Sequence, residues 1–419
     1  MKPSLRGLWL LLLPALALAD EPVVKLGGLV DARYARTDAE RSWLDGGFGK
    51  LRYGASVDGR SDLFRLAQLS LLLDAELGPL LTVHVQANLD AEPDQAGLRG
   101  RADLIEAFAL YRPELSPSLR LRIRGGAFFP PVSLEHEGPA WTSPYTITSS
   151  AANSWIGEEI RTIGAEGALV LKHHAYEMRL LGAGFGGNDP AGSLLAWRGW
   201  ALHDRQSGLG DRLVYPPLPS LLPGGPFSEN ARWSGPFVEI DGRVGWYAGA
   251  SLHGEGRFDA RALHYDSRGK QTVFDGKQYA WLTRFDAFGL RIELPQRILL
   301  LSQHLRGETV MGKAPDGQDL VRAPFQTTYA LLSVPLRRHR LSLRYERFLT
   351  RDQDALTALD PNQEDGDAWT ACYAFEPSLR QRLALELVHV EAERAARSGA
   401  GLQPLARETL FQASWRIAF

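Results

Sequence analysis

Cysteine and lysine are scarce in this chain, and long apolar runs are missing beyond its start. A lone cysteine, Cys372, excludes an intramolecular disulfide framework. It reads as a small core or lipid-facing residue. Seven lysines stand against forty arginines, so fixed positive charge comes mostly from guanidinium groups, which stay charged at any physiological pH. After Leu18 no apolar string approaches the roughly 18 residues of a spanning helix. The longest are short, such as residues 71–73 and 298–301. No Ser-, Pro- or Gln-rich hinge, low-complexity tract or shift in composition divides the chain, which favours one unit over two domains. G-x-S-x-G, H-E-x-x-H and a phosphate-binding glycine loop are all absent, so the common hydrolase and nucleotide signatures are missing. The formal net charge of −2 gives nucleic-acid binding no support.

What is present begins with an export address. Lys2 and Arg6 form a basic start, residues 8–18 are apolar apart from Pro14, and Ala17-Leu18-Ala19 precedes Asp20 as a small-residue cleavage site. Residues 1–19 therefore read as a cleavable signal peptide, too short and wrongly flanked for a membrane span. Residues 20–419 would then hold 45 basic and 49 acidic side chains. An exported chain without spanning helices is periplasmic, secreted, or an outer-membrane barrel.

The stretch that decides among these is residues 119–135, LRLRIRGGAFFPPVSLE. Leu119, Leu121 and Ile123 alternate with Arg120, Arg122 and Arg124. Successive side chains on a strand point to opposite faces. Three guanidinium groups thus share one side and three aliphatic groups the other. In a transmembrane barrel the aliphatic face meets lipid and the arginines meet a water-filled lumen. Gly125-Gly126 and then Pro130-Pro131 are expected to break the strand.

The same alternation recurs along the chain. Residues 63–77 and 81–89 form a hairpin across Gly78-Pro79, with arms of about ten residues, the length a tilted transmembrane strand needs. Residues 161–171 and 176–184 form another around Lys172-His173-His174. Further strands are expected near 24–34, 105–111, 194–202, 237–240, 244–253, 260–265, 279–287, 290–294, 298–305, 328–335, 341–349, 369–375, 383–390 and 409–419. About eighteen segments qualify; barrels of this type have an even strand number, and 16 strands, within a range of 16–18, suit the length. The fold class is all-β, a transmembrane antiparallel β-barrel. The last strand puts Phe411, Ala413, Trp415, Ile417 and Phe419 on one face. A final amphipathic strand ending in an aromatic residue looks like the signal that outer-membrane barrels present to their assembly machinery.

At GGAFFPPVSLE and at ITSSAANSWIGEEIRTIGAEG (residues 147–167) the sequence resembles the phosphate-selective porin O/P-like family of Gram-negative outer-membrane proteins. ALHDR (201–205) and LSLRYERF (341–348) are similar too. The resemblance implies a sixteen-stranded barrel embedded in outer-membrane lipid, a homotrimer, an inward-folded constriction loop and a basic lining that guides anions. Onto that lining only Arg120, Arg122 and Arg124 are carried. The family's phosphate-binding members rely on several lysines, which this chain lacks.

The long segment around residues 130–157, too aromatic and apolar for free disorder, is expected to fold inward; an ordinary extracellular loop is the alternative. Pro130, Pro131, Ser133 and Glu135 would shape the constriction. Glu158, Glu159 and Arg161 would tether it, the acids to wall arginines through charge-assisted bonds. Residues 204–232, rich in proline, suit an external loop. His173 and His174 lack a third ligand at useful spacing, so no metal or other cofactor is expected. His84, His253, His264, His304 and His389 could each face inward, as could Asp74, Glu76, Asp90, Glu106, Glu166, Glu293 and Glu386. The expected function is passive diffusion of small hydrophilic solutes, with an anion preference that the inward acids could cancel. A plugged or structural barrel and a barrel lipid hydrolase are the alternatives.

Overall fold

The computed structural model describes residues 22–54, 61–89, 102–356 and 358–419. Residues 1–19, expected to be a signal peptide, and Asp90 lie outside the described residues. The wall is built of sixteen strands: β1 Val23–Thr37, β2 Ser61–Glu76, β3 Leu81–Leu89, β4 Ala102–Tyr111, β5 Leu119–Phe128, β6 Thr162–His173, β7 Tyr176–Gly186 and β8 Gly245–Gly254. The second half continues as β9 Phe258–Asp266, β10 Leu282–Glu293, β11 Leu299–Lys313, β12 Asp319–Leu336, β13 His339–Thr350, β14 Glu364–Ser378, β15 Gln381–Arg394 and β16 Leu405–Ala418. Each pairs antiparallel with its sequence neighbour, and β16 closes on β1, with Leu29 opposite Ala418 and Thr37 opposite Leu410. Closure leaves no unpaired edge, which is what a lipid environment demands.

Burial is inverted relative to a soluble sheet. On β13, Ser342, Arg344, Glu346 and Phe348 face inward and are buried, whereas Leu341, Leu343 and Tyr345 face out and are exposed. Leu383, Leu385 and Leu387 on β15 do the same. Exposed aliphatics around buried charges are stable only where hydrocarbon covers the outside. Among the described residues no helix is long and apolar enough to cross a membrane; crossing falls to the strands.

Short hairpins gather at one end, with only His174 and Ala175 between β6 and β7 and only Arg337 and Arg338 between β12 and β13. Long connections leave the other end. Two of them, residues 129–161 and 187–244, turn into the barrel. The first carries α1, Ala151–Glu159, capped by Ser150 Oγ accepting from Asn153 N, and every residue of α1 is buried. Loop residues such as Val132, Trp155 and Leu195 thus form one buried core with wall residues such as Phe285, Phe325 and Phe348.

Several local expectations are corrected. The strand does not break at Gly125-Gly126: β5 runs on to Phe128. Gly126 has φ 135, and a Cβ there would stand 2.2 Å from Ala107 O, so glycine permits the close passage of β4 rather than ending the ladder. Residues 194–202 are no strand but hold a second helix, α2, Ser193–Trp197, buried inside the barrel. Residues 237–240 are irregular. The segments 279–287 and 290–294 merge into β10. Bulges opposite Asp31/Ala32 and Gln86/Ala87 flip the alternation. Phe64 therefore points out and is 77% exposed, while Ile105 points in.

Candidate functional site: the barrel interior

One side of the interior is filled. Wall residue Arg344 is fully buried and forks across the inward loop. Its Nη1 donates to Thr148 O (2.8 Å) and Glu135 Oε2 (3.2 Å), Nη2 to Ser149 O (3.0 Å), and Nε to Glu346 Oε1 (2.9 Å). Glu346 accepts from Ala151 N at 2.6 Å, and Glu386 from Ile147 N and Thr148 N. Glu135 accepts from Ser150 N, Ser150 Oγ and Asn153 Nδ2, which joins the start of the loop to the N-terminus of α1. Trp155 projects from α1 against the rings of Phe285, Phe325 and Trp200. Buried charges of both signs therefore meet with their hydrogen bonds largely satisfied, the condition under which burial is tolerated.

Pro130 is buried beside this loop and Pro131 half-buried, with Val132 N donating to Pro130 O in a tight turn. The Ser133 hydroxyl meets His136 Nδ1 at 2.7 Å, and its carbonyl accepts from Arg261 Nη1. The expected tether residues find different partners from those anticipated. Glu158 accepts both Nη1 and Nη2 of Arg198 at 2.7 Å and lies 3.2 Å from His203 Nε2. Arg198 belongs to the second inward loop and not to the wall. Burial opposes the Glu158 charge, but Arg198 and His203 outweigh it and pull the carboxyl down to about 2. Glu159 accepts from Gly192 N, Leu194 N and Trp155 Nε1. Burial pushes it up to about 7, because it has donors but no paired cation. Arg161 donates to Ile160 O and Ser207 O and stacks 3.6 Å from the Phe129 ring centroid. The three residues thus lock one loop to the other.

Asp204 of the second loop reaches the wall. Its Oδ2 accepts from Arg33 Nη2 at 2.7 Å and its Oδ1 from Arg52 Nη1 at 2.8 Å. Nothing in the local sequence pattern singles out Arg344, Glu346 or Asp204. The signal available was their place in the short stretches LSLRYERF and ALHDR.

The arginine row separates into unlike members. Arg120 sits at the short-turn rim, half-exposed, beside Glu114 at 3.2 Å. Arg122 has no carboxylate partner among the described residues, and its Nε is unbonded. Arg124 shares Glu166 with Arg179, at 3.2 and 2.7 Å, while Tyr247 Oη donates to the same carboxylate. Along this side the inward groups stay partly accessible: Arg124 18%, Arg179 20%, His84 22% and Asp74 54%, against 0% for Arg344 and Glu346. His253 also faces inward. His264, His304 and His389 do not; they face outward, pairing with Asp286, Thr328 and Thr409 on neighbouring strands. A trio of carboxylates, Asp189, Glu239 and Asp241, lies together on the long-loop side. Backbone N–H groups of Gly187, Ile240, Asp241, Gly242 and Lys270 occupy these oxygens.

No family model matches the chain, and no curated protein matches it. Solved structures do. The outer membrane channel DcaP of Acinetobacter baumannii superposes with a TM-score of 0.58 over 96% of this chain and 99% of that one, at 11% identity. A loop L8 deletion mutant of OmpT, an outer membrane protein of Vibrio cholerae, gives 0.52 over 96% and 100% at 8% identity. Salmonella typhi OmpF in complex with daunomycin gives 0.51 over 94% and 97% at 10% identity. At such identities the likeness is one of fold: a closed sixteen-stranded antiparallel barrel of the outer-membrane kind.

Proposed function

We propose that this chain is an outer-membrane channel for passive diffusion of small hydrophilic solutes, narrowed by its own inward loops. The observation that carries this reading is the asymmetry of the interior. Inward residues of β11–β16 such as Arg344, Glu346 and Glu386 are buried under the loops, while on β2–β7 the inward groups Asp74, His84, Arg124 and Arg179 keep contact with water. The solute path is therefore off-centre, running past Asp74, His84, Arg122, Arg124 and Arg179. On that path two guanidinium groups share one carboxylate, and Arg122 makes no ion pair with a carboxylate among the described residues. The local field favours anions, and confinement strengthens it. Phosphate itself is a candidate solute through the O/P-like resemblance. Export by a cleaved leader, recognition of the strand ending at Phe419 by assembly machinery and a homotrimeric state belong to the same proposal, as does the absence of enzymatic activity.

The second reading, a plugged barrel, draws support from α1 and α2, which are buried on every side. Single-channel recording in a planar bilayer under a salt gradient separates them. Steady steps with an anion-biased reversal potential support the channel and its arginines. Steps with a cation bias keep the channel and remove the anion field. Silence from a well-folded barrel would favour the plug.

A further inference from the structure

Two arginines at the short-turn end have no place in the solute path. A cavity of about 480 Å3 opens there between loop residues Thr142, Ser143 and Pro144 and wall residues Arg382 and Arg416. Arg337, Arg338 and Arg380, on the turns below, line its mouth, and Glu376 is the sole carboxylate residue among the described residues around it. Above it Ile147 packs on Cys372, Ala374 and Ala384, and Glu386 holds Ile147 N and Thr148 N.

Arg382 is 8% exposed, yet its Nε and Nη1 have no hydrogen-bond partner. Its Nη2 makes only long contacts, 3.5 Å to Pro144 O and 3.9 Å to Cys372 Sγ. Arg416, 6% exposed, spends Nε and Nη2 on Asp31. A buried guanidinium edge with unmet donors is costly. The acceptor that fits its planar fork is an oxyanion. Ser143 Oγ already accepts from Tyr145 N and Thr146 N, so its O–H is left to donate.

We infer that this cavity is a binding site for a small free oxyanion of the phosphate or carboxylate class. Arg382 grips the anion, Arg416 backs it, and Arg338 and Arg380 draw it in. The site lies well round the wall from Arg122 and Arg124, and a bound anion would fasten the Thr142–Pro144 part of the loop to β15 and β16. It is a static site and not a stage of permeation.

The test is isothermal titration calorimetry of the refolded full-length mature chain in detergent. Sodium phosphate and sodium malonate are titrated in separate arms, against sodium chloride at equal ionic strength. Saturable one-to-one binding of at least one oxyanion is expected, and the arms tell phosphate from carboxylate. Arg382→Gln should weaken binding by about tenfold or more, while Arg122→Gln leaves it unchanged. The double variant Arg338→Gln, Arg380→Gln alters only exposed rim positions. It should weaken binding by about two- to fivefold, and it covers the case in which Arg382→Gln fails to fold. Absence of saturable binding in both arms, full binding by folded Arg382→Gln, or an unaltered rim variant would overturn the site. Binding is read without current, so a barrel that does not conduct can still pass.

Discussion

Replacing Arg344 by alanine should release the inward loop without unfolding the wall. The side chain makes hydrogen bonds to Glu346, Glu135, Thr148 O and Ser149 O from a position with no solvent exposure. Removing it leaves Glu135 and Glu346 as buried carboxylates without their cation. Breaking a buried pair from one side costs about 3–5 kcal/mol, roughly a hundredfold or more in the ratio of docked to undocked loop. The β13 ladder itself keeps its backbone bonds to β12 and β14, so the barrel should still resist SDS at room temperature. The assay is single-channel conductance of Arg344→Ala beside Arg344→Lys. Lysine restores the charge but cannot fork, and it should fall between wild type and alanine. We expect larger, noisier steps for the alanine variant, because an undocked loop no longer covers the β11–β16 side. Conductance unchanged in a folded Arg344→Ala barrel would refute the idea that this clamp holds the constriction.

Alanine at Arg120, Arg122 and Arg124 together should lower anion over cation permeability while folding is preserved, since lumen positions tune selectivity more than stability. Arg122→Ala alone should produce most of the effect, because Arg124 is partly neutralised by Glu166 and Arg120 by Glu114; an unmoved reversal potential in the triple variant would count against the row. Docking of α1 should weaken as pH rises from about 4.5 to about 7. Burial raises the Glu159 carboxyl to about 7 from its ordinary 4.5, so the docked loop holds the proton more tightly and loses stability as that proton leaves. Hydrogen exchange across residues 150–159 at pH 5 and pH 8 reads this, and Glu159→Gln should flatten the difference. Glu158, held down to about 2, contributes stability that is lost only below about pH 4.5 and does not interfere in that window.

The wall was largely legible along the chain because its physics is local. Alternation at residues 119–124 and across the Gly78-Pro79 hairpin placed aliphatic groups outside and charges inside. That pattern depends on pleat geometry and solvent alone. It failed where one extra residue shifts the phase, as at Ala67 and Ile105, since a bulge leaves no signature in a period-two pattern. It failed again at residues 194–202. There α2 sits in a globular core, and short apolar runs of that length suit strand and helix equally.

The interior was legible only as a suspicion. Residues 129–161 lack alternation and carry many small and aromatic groups, which marks a segment that packs on something without saying what. Glu158 looked ready for a wall arginine and found Arg198, forty residues on, because two loops enter the barrel together. Arg344, Glu346, Asp204 and Arg382 are ordinary inward or loop residues in one dimension. Their roles arise from partners 171 to 238 residues away in the chain, which no local period encodes.

By itself, then, the sequence determined that this chain is a barrel with a polar inside, because every strand repeats the same lipid-and-water alternation. Which part of the inside stays wet was decided only in three dimensions. The closed wall brings distant charges into one low-dielectric space, where each must find a partner, and the pairs that form dictate where the loops lie and what room they leave.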